Sequence, residues 1–322
     1  MSGSINNDLI LAVPSKGRLK EQVEEWLADA GLPVTNAGGG RGYSARMDGI
    51  SGINVRLLSA SDIASALYAG EIHLGVTGED LLREFGETLD ARVMLLRALG
   101  FGRADLVVAA PKSWVDVESM ADLDDVAHLY LARTGRRMRV ATKYLTQTRG
   151  FFAQHGIADY RIVESSGATE GAPAAGAAEI VVDITSSGAT LQANSLKIVG
   201  DGLILKSQAQ LAASTVADWS ADQLTTLRRL MGIVEARARG KTICSLVWPA
   251  EQEAAARAAV KPFTAPDQAT RAHGVLVSSK DLFAASQALA AAGVGPVSVS
   301  HPAYVFEPAS AVAESLAAKV AG

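Results

Sequence analysis

The run Ile180-Val181-Val182-Asp183-Ile184-Thr185-Ser186-Ser187-Gly188-Ala189-Thr190-Leu191 constrains what this chain can fold into more than any other stretch. The aliphatic residues before Asp183 read as a buried parallel strand, and Leu191-Gln192-Ala193-Asn194 reads as the first turn of a helix. The hydroxyl-rich segment between them therefore sits where unpaired backbone N–H groups and the positive end of a helix dipole favour an anion. Thr185, Ser186, Ser187 and Thr190 add side-chain donors, and Gly188 lets the backbone approach a ligand with no Cβ in the way. The same residue types dominate ordinary caps and turns, so composition at this point fits either a phosphate cradle or a capped turn.

Similar strand–helix alternation continues through the chain and predicts an α/β fold with mostly parallel sheets. Leu9 to Val13 reads as a strand, and Leu19, Val23, Trp26, Leu27 and Ala30 give the next segment an apolar helical face that Gly31 can close. Between them lies the basic turn Ser15-Lys16-Gly17-Arg18, at the carboxyl end of a strand, where open α/β sheets bind ligands. Asp62 to Tyr68 is a helix closed by Gly70, and Thr77-Gly78-Glu79-Asp80 opens another whose acids complement the dipole. Gly38-Gly39-Gly40-Arg41-Gly42 reads as a loop from which Arg41 could reach a phosphate. Further strands are expected at Leu106 to Ala110, Arg139 to Ala141 and Tyr160 to Val163, with a helix from Glu170 to Ala178.

Reading back from the hydroxyl loop, Glu170, Gly176, Ala178, Val181, Asp183, Ile184, Ser187-Gly188 and Thr190-Leu191 recur at a spacing that resembles the signature of ATP phosphoribosyltransferase, the first enzyme of histidine biosynthesis. Leu11 to Leu19 is similar to that family's opening strand and basic turn. The blocks Ser61-Asp62-Ile63 through Gly75 to Leu82, Leu99-Gly100-Phe101-Gly102 and Arg139 to Tyr144 follow in the expected order. The resemblance implies a two-lobed fold like the type II periplasmic binding proteins, with the cleft between the lobes. It implies residues 1–99 plus 195–219 as the first lobe, 100–194 as the second, 220–240 as a connecting helix and 241–322 as a small ferredoxin-like regulatory domain. The implied reaction transfers the phosphoribosyl group of phosphoribosyl pyrophosphate to N1 of the adenine of ATP. Thr185, Ser186, Ser187, Gly188, Ala189 and Thr190 would hold the 5-phosphate, with Asp183 and Glu170 near the ribose. Lys16, Arg18, Arg41, Thr142 and Lys143 would serve the ATP side, with Lys16, Arg18, Glu170 and Asp183 as the catalytic candidates. Magnesium would be bound mainly through substrate oxygens. Long-form members are homohexamers inhibited by histidine, and the length of this chain, 322 residues, matches that form.

Two rivals share parts of this pattern. A ligand-binding receptor would use the same lobes without chemistry, because fold does not determine function. A receptor of that kind is expected to carry an export signal, and Met1 to Asp8 lacks the basic, apolar and small-residue pattern of one. Phosphoribosyltransferases of other specificities place two adjacent acids before the phosphate loop, whereas Val182 precedes the lone Asp183. Composition agrees with a cytoplasmic enzyme: the single Cys244 precludes an intramolecular disulfide, and no apolar run is long enough to span a membrane. Five scattered histidines lack metal-ligand spacing, and a net charge of −4 argues against a nucleic-acid surface. Toward the C-terminus, Ser220 and Gln223 have capping-box spacing ahead of a helix with Leu224, Leu227, Leu230, Met231 and Val234 on one face. A further helix from Ala309 to Val320 is not explained by the resemblance.

Overall fold

In the computed structural model, residues 8–36, 44–264 and 272–321 are described. The chain builds three sheets in succession. The first lobe contains β1 (Leu9–Pro14), α1 (Gly17–Asp29), β2 (Val34–Asn36), β3 (Ser44–Met47), β4 (Ile53–Leu58), α2 (Ala60–Ala69), β5 (Leu74–Gly78), α3 (Glu79–Arg83), α4 (Leu89–Arg92) and β6 (Val93–Ala98). The second contains β7 (Ala104–Pro111), α5 (Met120–Thr134), β8 (Met138–Thr142), α6 (Leu145–Gln154), β9 (Tyr160–Glu164), β10 (Ile180–Thr185), α7 (Ala189–Ala193) and β11 (Leu196–Ser207). The chain then returns through β12 (Ala209–Ser214) to the first sheet and enters the long α8 (Ala221–Gly240). The third unit follows with β13 (Ile243–Val247), α9 (Glu253–Val260), β14 (Gly274–Ser278), α10 (Leu282–Ala291) and β15 (Ser298–Ser300), before the last helix, α11 (Ala311–Ala321).

The first sheet runs β2-β3-β4-β1-β5-β12-β6. Its central strand β1 is apolar on both sides, as a strand covered by helices on two faces requires, and pairs in parallel with β4 and β5. Local signals set the helix ends. The Ser59 side chain accepts from the Asp62 amide to start α2, and Gly70 ends it at φ +83°. Ser220 and Gln223 close the expected capping box on α8. The second sheet runs β11-β7-β10-β8-β9, with β10 parallel to β8 and antiparallel to β7.

Two findings revise the expected domain limits. The strand Leu196–Ser207 pairs with β7, so the return to the first lobe falls at Gln208 and not at residue 195. Helix α11 packs back on the first lobe, where Ala313 and Leu316 join the core formed by Leu227, Leu230, Met231 and Val234 of α8. The third unit has sheet order β14-β13-β15, antiparallel throughout. Two helices accompany it, giving three of the four strands of a ferredoxin-like sheet among the described residues. The predicted helix from Glu170 to Ala178 is instead one 3₁₀ turn over Thr169–Gly171 followed by turns. Gly171 and Pro173 interrupt helical hydrogen bonding there, and Gly176 takes φ +65°. Among the described residues, no helix is long and apolar enough to cross a membrane.

Candidate active site in the cleft between the lobes

The two chain crossings between the lobes run side by side. Leu99 N–H donates to Ala209 O at 3.0 Å, Ala209 N–H to Phe101 O at 3.0 Å and Gly100 N–H to the Gln208 side chain at 3.2 Å. A cleft of about 380 Å³ opens against these crossings, lined by Arg103, Asp105, Thr185, Ser186, Lys206 and Gln208. The basic turn after β1 abuts the same place, because a Cβ on Gly102 would lie 3.0 Å from Leu19 Cδ1. Lys16 and Arg18 are exposed on that turn.

The phosphate-loop candidate begins at the end of β10. Asp183 is half-buried, and its Oδ1 accepts from the Ile184 amide at 2.8 Å. Thr185 Oγ1 accepts from the Gly188 amide at 2.8 Å, and Ser187 Oγ from the Ala189 amide at 3.4 Å, which curls the loop onto itself. Gly188 adopts φ +76°, and a Cβ added to it would meet no heavy atom closer than 4.0 Å, so the left-handed backbone, not crowding, requires glycine there. Among the described residues, the amides of Ser186 and Ser187 and the hydroxyls of Ser186 and Thr190 have no protein partner. Helix α7 is only five residues long, so these amides and hydroxyls outweigh any helix dipole as the attraction for an anion.

Sheet register gathers residues that no sequence motif singled out. Thr185 lies opposite Asp105 on β7, and Asp105 opposite Lys206 on β11, so the three form one row on one sheet face. Asp183, two residues before Thr185, lies on that face too. Burial raises the Asp183 carboxyl above the usual carboxylate range, and Glu170 and Asp80 push it further up, against the Ile184 amide and the Lys143 charge. Glu170 and Lys143 thus act on the Asp183 carboxyl from opposite sides of the electrostatic balance. Thr142 is differently placed: it is fully buried, and its hydroxyl accepts from the Tyr144 amide at 2.9 Å, fastening the strand end. Arg41 lies outside the described residues. Lys206 is exposed, Ser207 buried and Gln208 half-buried, an alternation that the uniformly polar Lys206-Ser207-Gln208 does not display in sequence.

Known proteins share much of this sequence, and a solved structure shares the fold. The family model described as HisG, ATP phosphoribosyltransferase, matches residues 59–232. An ATP phosphoribosyltransferase of Caulobacter vibrioides (strain NA1000 / CB15N) is 64% identical over 320 residues, covering 98% of this chain and 100% of the relative. One from Rhodopseudomonas palustris (strain BisB18) is 57% identical over 230 residues, 71% of each chain. Among solved structures, the ATP phosphoribosyl transferase (HisG:HisZ) complex from Thermotoga maritima is similar in fold, with TM-score 0.53 and 24% identity over 70% of this chain and 98% of that one.

Proposed function

The chain belongs to the ATP phosphoribosyltransferase family, a transferase family of histidine biosynthesis, and from that premise we propose that its interlobe cleft joins the ribosyl carbon of phosphoribosyl pyrophosphate to N1 of the adenine of ATP. The observation that carries this reading is the Asp183–Thr190 loop, whose Thr185 and Ser186 line the same cleft as Arg103 and Lys206. Thr185, Ser186, Ser187, Gly188, Ala189 and Thr190 hold the 5-phosphate, and Asp183 contacts the ribose hydroxyls with Glu170 beside it. As pyrophosphate leaves, the anomeric carbon gains positive character, so the site works by positioning and charge stabilisation and needs no covalent nucleophile. Arg103 and Lys206 receive the departing pyrophosphate. Lys16, Arg18 and Lys143 serve the ATP phosphates.

Two carboxylates on one sheet face, Asp183 and Asp105, are hard oxygen donors of the kind magnesium takes alongside substrate oxygens and water. When bound, the ion neutralises the leaving pyrophosphate. Residues Ile243–Ser300 are proposed as the histidine-responsive unit of a cytoplasmic homohexamer, on the resemblance to long-form members.

Purified protein supplied with magnesium, ATP and phosphoribosyl pyrophosphate should yield phosphoribosyl-ATP and pyrophosphate, with the rate falling when histidine is added. Failure to form that product while another nucleobase is accepted would sink the assignment of ATP as acceptor. A rate indifferent to histidine would remove the regulatory part alone.

A further inference from the structure

One buried carboxylate ties the two lobes and the returning strand together. Asp80, on the first turn of α3 in the first lobe, is 6% exposed, Tyr144 before α6 in the second lobe is 1% exposed, and Ser207 at the end of β11 is 3% exposed. The Tyr144 hydroxyl donates to Asp80 Oδ2 at 2.6 Å and the Ser207 hydroxyl to Asp80 Oδ1 at 2.8 Å, while the Asp80 amide donates back to Ser207 Oγ at 3.0 Å. Each carboxylate oxygen thus has its own donor, one from each partner element. Gly78 makes the arrangement possible, because a Cβ there would run into Asp80 Oδ1.

Neighbouring contacts hold the same joint. The Glu84 carboxylate accepts from the amides of Thr146 and Gln147 at the start of α6, and Gln147 Nε2 donates to Asp80 O at 2.8 Å. Leu81 packs on the cores of both lobes. The Glu79 amide donates to Gln208 O at 3.0 Å, which fixes the crossing itself.

What flanks these residues in sequence gives the joint its consequence. Lys143 precedes Tyr144, with its ammonium 4.9 Å from the Tyr144 ring and its charge acting on Asp183. Lys206 precedes Ser207 and lines the cleft. A shift of either anchored residue would move the adjacent cation, since one peptide unit separates them.

We propose that Asp80, Tyr144 and Ser207 form a positioning triad that sets the lobes at one angle and thereby holds Lys143 and Lys206 at the cleft. Ser207 also lines the cleft, with its hydroxyl committed to Asp80. The inference rests on the reading of this cleft as the phosphoribosyl pyrophosphate site, and the test separates the two. In the full-length protein, binding of inorganic pyrophosphate is measured by calorimetry, together with KM and kcat, for the wild type, Tyr144→Phe and Ser207→Ala. Loss of a hydrogen bond to a charged group should raise the KM for ATP about tenfold in Tyr144→Phe, through Lys143, and the pyrophosphate Kd and the KM for phosphoribosyl pyrophosphate about threefold in Ser207→Ala, through Lys206, with kcat changing less. Ser207→Thr, which keeps the hydroxyl, should restore both constants. Adding Tyr144→Phe to Lys143→Met should cost little beyond Lys143→Met alone, because the two act on the same cation. A triad that only stabilises the fold would lower the melting temperature and the fraction of active molecules while leaving Kd and KM unchanged, and that result overturns the proposal. If Tyr144→Phe does not fold, an unchanged Kd in Ser207→Ala overturns it equally. A wild type that binds no pyrophosphate would instead overturn the reading of the cleft.

Discussion

Gly188 shows how a single residue carries both the loop shape and the proposed ligand contact. Its φ of +76° and the open space around it separate two effects that glycine usually confounds. An alanine there meets no neighbour but must either hold a left-handed backbone, at about 1–2 kcal/mol, or rotate the peptide units that present the loop amides. Gly188→Ala is therefore expected to lower stability by at most about 1–2 kcal/mol and to raise the KM for phosphoribosyl pyrophosphate about tenfold. Steady-state kinetics with a parallel thermal melt checks this, and an unchanged KM would take the loop out of the binding site. Residues of this kind are legible in the sequence because their roles are local: Asp183, Thr185 and Gly188 act within one turn of one another. Asp80 is not. Its position in the first turn of α3 invites a dipole explanation, and only the approach of Tyr144 and Ser207, 64 and 127 residues away, gives it its actual partners.

At the scale of elements, strand and helix limits follow the sequence wherever a cap or a glycine marks them, as at Gly70 and Ser220. The segment after Glu170 departs from its expected helix because alanine-rich composition favours one while Pro173 and the flanking glycines deny it continuous hydrogen bonds. A different local device joins β1 to β5. His73 is 6% exposed; its Nδ1 takes the Ile10 amide at 3.0 Å, and its Nε2 lies 3.0 Å from Asp218 O. This pairing requires the neutral ring with hydrogen on Nε2. Burial lowers its pKa below 6.5, partly offset by the Asp218 carbonyl. In the unfolded chain the ring takes up a proton near pH 6.5, whereas in the fold it resists until lower pH, so the unfolded state binds more protons across that window. Stability should consequently fall as pH drops below about 6.5, and the difference in urea midpoint between pH 7.5 and 5.5 should shrink in His73→Gln. Equal differences in the two proteins would exclude His73 as the source.

For the whole molecule, the two-lobed plan is readable from strand–helix order and resemblance, but the place where the chain changes lobes is not. Nothing in Leu196–Ser207 distinguishes a strand of one sheet from a strand of the other; pairing with β7 decides it. The same holds for α11, whose apolar face finds its partner on α8, outside the unit that precedes it. Leu316 is fully buried in that contact, so Leu316→Ala is expected to cost about 2–5 kcal/mol, read as a lowered denaturation midpoint of the first lobe. A loss confined to the third unit would show that α11 belongs there instead. Around the point of departure, Arg237 pairs with Asp29 at 2.7 Å and holds that carboxyl down to about pKa 2, with Lys241 adding to it, while the Arg237 guanidinium also donates to Ala303 O at 3.0 Å. Val305 N–H closes on Ala236 O at 2.9 Å. The third unit is therefore a closed loop of chain and not a tail: it leaves the first lobe and rejoins it at neighbouring points. Modules with adjoining ends can be lost, gained or exchanged without dismantling their host, and here a short bridge from the end of α8 to Ala303 would leave both lobes and their last helix contiguous.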